Sequence, residues 1–78
     1  MLTREYLRAV VSDVRKHIDG VTVSRAWIHR ASFDQWEFHF EDFYWHGRAW
    51  DAYDARAKGW SAYLAKKGVK GYAAESMG

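Results

Sequence analysis

Three histidines and a glutamate are the residues of this chain best suited to bind a metal ion. His29, His39 and His46 fall on three predicted strands, and Glu37 lies two residues before His39. Imidazole nitrogens and carboxylate oxygens are ligands that zinc and other divalent ions accept. In the strand register derived below, however, His39 and His46 pair with other residues rather than with each other. We therefore expect separate surface histidines, with neither a metal site nor another cofactor.

The acidic residues include candidates for an acid–base pair that catalyses hydrolysis. They are Glu37, Glu41, Asp42, Asp51 and Asp54. Such a pair needs a cleft, and a small two-layer domain has little room for one, so solvated charges at strand edges and at a helix N-terminus explain these residues more simply. The sequence contains neither a Gly-x-Ser-x-Gly motif nor a glycine-rich phosphate loop. The chain is therefore not expected to be an enzyme.

The length and composition of the chain indicate one compact domain. We place a single α+β domain at residues 1–70 and a loosely ordered tail at residues 71–78 of the 78-residue chain. Because cysteine is absent, no disulfide can stabilise the fold, and the aromatic residues, 18% of the total, must supply most of the burial. No apolar run approaches the ~20 residues of a membrane span, and no secretory signal is visible. We expect a cytoplasmic protein.

Apolar side chains recur every three to four residues in two segments, which is the spacing of amphipathic helices. The first segment covers residues 3–19, with Thr3 as its N-cap. The second covers residues 51–67, with Asp51 as its N-cap. The apolar stripe of the second helix consists of Tyr53, Ala57, Trp60 and Leu64. Gly59 in that helix would allow it to approach the sheet closely.

Residues 21–30 are rich in β-branched and aromatic types and predict the first strand. Apolar residues alternate on both of its sides: Val21, Val23 and Trp27 on one, and Ala26 and Ile28 on the other. The buried face of this strand is therefore left open. A β-bulge near Arg25 would reconcile the two patterns.

The alternation of aromatic and polar residues in residues 35–49 predicts a β-hairpin. A two-residue turn at Glu41 and Asp42 would place five large aromatic residues on one face. That register pairs Phe40 with Phe43, Phe38 with Trp45, and Trp36 with Gly47, and on the opposite face His39 with Tyr44 and Glu37 with His46. A tryptophan would then shield a strand glycine. A single long strand that turns at His46 and Gly47 is the alternative.

The order of elements is therefore α-β-β-β-α. It predicts an α+β domain whose three-stranded antiparallel sheet carries two helices on one face and leaves the other face open. This order, with the small-residue-rich second helix DAYDARAKGWSAYL, resembles the double-stranded-RNA-binding domain. That family contacts phosphates with basic residues at the start of its second helix and uses a long connection between its first two strands. Here Asp51 and Asp54 stand at the matching positions and the connection from Ala31 to Asp34 is short, so the resemblance implies a similar fold without the family's function.

In small size, lack of catalytic motifs and patchy charge, the chain resembles the small accessory proteins of phages and mobile elements, such as the anti-CRISPR proteins. Its net charge is +2, but residues 34–54 contain six acidic residues against one arginine. The resemblance implies a binding protein that blocks a nucleoprotein complex of the host by occlusion, acting in the host cytoplasm.

Exposed aromatic and arginine residues are the types enriched in interface hot spots. The candidate partner-binding residues are Arg25, Arg30, Tyr44, Arg48 and Trp50, on or near the open sheet face, and Lys58, Lys66, Lys67 and Lys70, on the second helix and after it. The alternative is direct binding to RNA or DNA by the same arginines, with Trp27 or Tyr44 stacking on a base. The chain is expected to be a monomer or a homodimer.

Overall fold

The computed structural model describes residues 4–72 and confirms the single α+β unit with the order α-β-β-β-α. In chain order its elements are helix α1 (Arg4–His17), a 3-10 turn (Val23–Arg25), strands β1 (Trp27–Arg30), β2 (Gln35–Phe40) and β3 (Phe43–Arg48), and helix α2 (Ala52–Lys66). The three strands form one antiparallel sheet in the order β1-β2-β3. The predicted N-cap Thr3 and residues 73–78 of the predicted tail lie outside the described residues.

The predicted hairpin register is confirmed at every pair. Phe40 lies opposite Phe43, and Phe38 lies opposite Trp45, so the large aromatic residues share one face. The turn at Glu41 and Asp42 lacks the usual glycine, and Glu41 adopts the left-handed conformation, with φ at 55°. This backbone is mildly unfavourable for a glutamate. The burial of the aromatic pairs next to the turn fixes the register in spite of this unfavourable conformation at Glu41.

A tryptophan shields the strand glycine Gly47, but it is not the tryptophan that the pairing suggests. Trp36 is the cross-strand partner of Gly47. A Cβ atom at Gly47 would nonetheless lie 2.7 Å from the Trp45 ring, and its three nearest atoms all belong to Trp45. The indole therefore folds along its own strand, and the glycine leaves the space that it occupies.

The predicted first strand is wrong over its first half. Val23–Arg25 form a 3-10 turn, and the strand begins only at Trp27. In a 3-10 turn residues three apart share a side, so Val23 and Ala26 both point into the core while Trp27 is 55% exposed. This change of period, rather than a β-bulge in a continuous strand, reconciles the two apolar patterns of the segment.

Helix α2 covers the core face of the sheet, and Gly59 is the point of closest approach. A Cβ atom at Gly59 would lie 2.1 Å from the Phe38 ring, which no real packing allows. Next to it, the Trp60 ring packs edge-on against Phe38, with the two ring centroids 5.1 Å apart. Asp51 caps the helix as predicted. Tyr53 does not belong to the buried stripe: it is 46% exposed and lies under the guanidinium of Arg4.

Helix α1 packs along α2 and against the 3-10 turn. It buries Leu7, Val10 and Val14, the centre of the predicted apolar stripe. After α2 the chain returns to α1, where the Tyr72 hydroxyl donates a hydrogen bond to the carboxylate of Asp13. Neither helix, within residues 4–72, has the length and hydrophobicity required to cross a bilayer.

Candidate functional site

One face of the sheet, here called the open face, carries no helix or strand among residues 4–72. The register places on it two rows of three side chains, each row crossing all three strands, and the pair Gln35 and Arg48 at the rim. The first row is Trp27, His39 and Tyr44, and the second row is His29, Glu37 and His46. The period-two alternation of the strands explains this arrangement, because the residues between these positions supply the core. The open face is therefore a fixed consequence of the packing on the other side.

The rings of the open face touch one another across the strands. The Trp27 ring lies 4.8 Å from the His39 ring, and the His39 ring lies 4.8 Å from the Tyr44 ring, measured between centroids. Along the outer strands, Trp27 stacks on His29 at 5.4 Å and Tyr44 stacks on His46 at 5.5 Å. The five rings thus form a continuous layer from one edge of the sheet to the other.

Glu37 lies at the centre of this layer. Its directly opposed neighbours on the two outer strands are His29 and His46. His39 donates from Nε2 to Glu37 Oε1 at 3.1 Å, and the Glu37 side chain is only 31% exposed. Partial burial on the sheet, and then the charge of Glu37 and a hydrogen bond to it, raise the pKa of the Tyr44 phenol. The carboxylate is therefore a partly shielded negative charge inside an aromatic surface.

The three histidines do not converge on a common point. His39 is hydrogen-bonded to Glu37, while His29 and His46 stack on Trp27 and Tyr44. Within residues 4–72, no group of three or more histidine, aspartate and glutamate side chains is arranged to hold a metal ion. The histidine rings are instead part of the aromatic layer on the open face.

Two of the predicted partner-binding arginines are not on the open face. Arg25 belongs to the 3-10 turn instead of a strand. Arg30 lies opposite Trp36, on the core side of the sheet edge, and its guanidinium lies 5.4 Å from the Trp36 ring. It also donates two hydrogen bonds to the Phe33 carbonyl oxygen, at 2.7 and 3.1 Å. The prediction that Arg25 and Arg30 lie on the open face is therefore wrong for both residues.

Arg48 lies at the rim of the open face, where it forms an ion pair with Asp34. Its Nε donates to Asp34 Oδ2 at 2.9 Å. Trp50, which is 71% exposed, lies beside this pair and lines a shallow cavity of about 290 Å³. The cavity is lined by Asp34, Arg48, Ala49, Trp50 and Lys58.

Asp54 was expected to be a solvated charge, and this prediction is wrong because the side chain is completely buried. Its Oδ2 accepts a hydrogen bond from the Trp50 backbone N–H at 2.8 Å. The Asp54 backbone N–H donates a second hydrogen bond, to Asp51 Oδ1 at 2.9 Å. Lys58 Nζ lies 3.5 Å from the same Asp54 oxygen and donates to the Arg48 carbonyl oxygen at 2.8 Å. Asp54 and Lys58 thus hold the β3–α2 connection instead of presenting charge to a partner.

The remaining predicted cations lie at the other end of α2. Lys66 Nζ lies 5.6 Å from the Phe43 ring and Lys67 Nζ lies 5.5 Å from the Tyr63 ring, and Lys70 is exposed in the turn that follows. The nine candidate residues therefore do not form one surface. Tyr44 and Arg48 share the open face, Trp50 and Lys58 lie at its rim, and the other lysines lie beyond the hairpin turn.

The sequence alone did not identify the open face as one site, because its residues suggest different functions when each is taken separately. The histidines were weighed as metal ligands and Glu37 as an acid, while Trp27 and Tyr44 were weighed as stacking residues. The signal was present in the hairpin register, which already paired His39 with Tyr44 and Glu37 with His46. The start of β1 was the missing piece, because only the 3-10 turn places Trp27 beside His39.

Comparison of the chain with models of protein families, with characterised proteins and with solved structures found no match.

Proposed function

We propose that this chain is a non-enzymatic binding protein that docks its open face on a partner protein and acts by covering a surface of that partner. The observation that carries the proposal is the continuous layer of five rings around Glu37. Trp27 and Tyr44, 55% and 43% exposed, are residue types that dominate interface hot spots. Their positions are held by the sheet, so little conformational entropy is lost when a partner binds.

The charge of the open face favours a protein over a nucleic acid. Of the strand residues on this face, Glu37 is the one acidic residue and Arg48 is the one lysine or arginine, and Arg48 is paired with Asp34. A phosphate-binding surface needs several unpaired cations. Glu37 at the centre would instead repel phosphates. A nucleic-acid interface on this face is therefore the less favoured alternative.

The proposed mode of action is steric occlusion of a nucleoprotein complex of the host, as in the small phage inhibitors that the chain resembles in size and character. Occlusion requires an exposed, preformed surface and no chemistry. The ring layer meets the first requirement.

Site-specific photo-crosslinking tests this proposal. A benzophenone amino acid is introduced at Tyr44 on the open face and, as the matched control, at Tyr53, a tyrosine of similar exposure on α2. After irradiation in host lysate, one defined subunit of a nucleoprotein complex should be labelled from position 44 and not from position 53. The unmodified protein should inhibit that complex, and Trp27→Ala should weaken the inhibition.

Three results would contradict the proposal. Equal labelling from both positions, or no labelling from position 44, would remove the open face as the docking surface. Binding to a 20-nucleotide DNA or RNA strand that weakens steeply with added salt would replace the protein partner with nucleic acid.

A further inference from the structure

The open face contains a carboxylate that constrains its partner. The Glu37 carboxylate lies at the centre of the ring layer, accepts a hydrogen bond from His39, and its side chain is already two-thirds shielded from solvent. Any partner that covers the layer must remove the remaining water from this carboxylate. A covering surface without a donor would leave the hydrogen bonds of that water unreplaced around a buried carboxylate, which opposes binding.

Within residues 4–72, the ion-pair partner of this carboxylate is His39, and no lysine or arginine pairs with it. Between Asp34 and Arg48 the sequence contains no lysine and no arginine. Arg30, on the neighbouring strand, is turned to the core side of the sheet edge and lies near Trp36. Arg48 is held by Asp34. A guanidinium or ammonium group for Glu37 must therefore come from the partner.

The rings around Glu37 favour a planar cation over a compact one. Trp27 and Tyr44 are 55% and 43% exposed, and the faces of such rings attract cations. Both residues are diagonal neighbours of Glu37 in the register, about 7–8 Å away between Cα atoms. A planar guanidinium can stack on one of these rings and direct its N–H groups at the carboxylate, whereas an ammonium cannot stack.

Glu37 retains the capacity to accept such bonds. A carboxylate accepts about four hydrogen bonds, and His39 uses one of these positions. The remaining positions include the two that a bidentate guanidinium uses.

We infer that the open face receives an arginine side chain of the partner protein, which stacks on Trp27 or Tyr44 and forms a bidentate ion pair with Glu37. This inference rests on the proposed function and specifies its partner chemistry. The arginine supplies both the stabilising charge and the specificity of the contact, while the surrounding rings exclude water from it.

The test uses three capped tripeptides of the form Gly-X-Gly, in which X is arginine, lysine or citrulline. Citrulline has nearly the shape of arginine without its charge. Each peptide is titrated into the isotopically labelled protein, and the amide and ring resonances are followed by NMR. The arginine peptide should shift the resonances of Trp27, Glu37 and Tyr44, with an affinity about fivefold or more above that of citrulline and above that of lysine.

Two glutamate variants locate the contact. Glu37→Gln should reduce the affinity for the arginine peptide to that for citrulline. Glu41→Gln, the same change at the hairpin turn outside the open face, should leave the affinity unchanged. The amide spectra of both variants report whether the fold is kept.

Equal titration by arginine and citrulline overturns the inference, and so does the absence of any shift on the open face. An unchanged affinity of Glu37→Gln overturns it as well. If the peptide test fails while crosslinking from Tyr44 still labels a defined subunit, the docking face stands and the arginine is wrong. If crosslinking fails while the arginine peptide still binds, the proposed function is wrong.

Discussion

The two faces of the sheet are built from alternate residues of the same strands, yet their rings are used differently. On the core face, Phe38 and Phe40 pack against Trp60 of α2, with ring centroids 5.1 and 5.0 Å apart. On the open face, Trp27, His39 and Tyr44 contact one another and the other residues of that face, His29, Glu37 and His46. The core rings stabilise the fold, and the open rings are held in place by it.

The difference also appears in polarity. The core face has no ionised side chain at its centre, whereas the open face has Glu37 there, with the histidines around it. Burying such a carboxylate without further hydrogen-bond or ion-pair partners would cost free energy. The open face is therefore not a second core that lacks its helix. Its composition is that of an interface with a polar centre.

The largest expected difference between the faces is in stability. Phe38→Ala removes a completely buried ring and should lower the free energy of unfolding by about 4 kcal/mol. Tyr44→Ala removes a ring that is 43% exposed and should lower it by less than about 1 kcal/mol. Urea denaturation followed by tryptophan fluorescence measures both. Similar losses for the two variants would mean that the open rings also stabilise the fold.

The contact between α2 and the core face is the next most sensitive point. Gly59→Ala introduces a Cβ atom that would lie 2.1 Å from the Phe38 ring, and the forced movement should cost about 2 kcal/mol net of the better helix propensity of alanine. Thermal unfolding followed by circular dichroism measures the loss. In a Phe38→Ala background the same change should cost less, because the two nearest atoms, Cγ and Cδ2 of Phe38, are gone. An equal cost in both backgrounds would place the effect elsewhere.

The hydrogen bond between Tyr72 and Asp13 should make a smaller, pH-dependent contribution. Tyr72→Phe removes it and should cost about 1 kcal/mol at pH 7. Burial, and then the hydrogen bond and charge of Asp13, raise the pKa of Tyr72 in the folded state. A raised pKa means that the contribution is complete below the unfolded value of about 10 and is lost as the pH rises beyond it.

Urea denaturation of Tyr72→Phe and of the unchanged chain between pH 7 and pH 11 tests this expectation. The difference between the two should be constant up to about pH 9 and should shrink above pH 10. A constant difference over the whole range would contradict the pKa direction.

The smallest effect is expected at the rim of the open face. Arg48→Ala removes an ion pair in which the arginine side chain is 79% exposed. Such pairs contribute less than about 1 kcal/mol, and salt screens them. Denaturation at low and high salt should therefore give nearly the same stability for the variant and the unchanged chain. A large loss would show that Arg48 has a structural role.

The hairpin register was predictable because, with a turn at Glu41 and Asp42, the alternation of aromatic and polar residues places five large rings on one face. The cap at Asp51 was predictable for a similar reason, since it depends on local backbone geometry alone. These features are set by neighbours in sequence. Together they specify two strands of the sheet and the helix that covers it.

The features that could not be predicted depend on distant contacts. The residues from Val21 to Arg25 have high strand propensity, but the burial of Val23 and Ala26 beneath the helices stabilises a 3-10 turn there instead. Asp54 is buried only because the β3–α2 connection folds back over it, which the helix pattern cannot reveal. The face of Arg30 is set by the pairing of β1 with β2, which places it opposite Trp36.

The central claim is that the open face binds a partner and contributes little to the fold. The double variant Trp27→Ala with Tyr44→Ala tests both parts in one protein. Its unfolding free energy should lie within about 1 kcal/mol of that of the unchanged chain, while its affinity for the crosslinked subunit, measured by calorimetry, should fall at least about 100-fold, as for two hot-spot residues. An unchanged affinity, or a stability loss as large as that of Phe38→Ala, would contradict the claim.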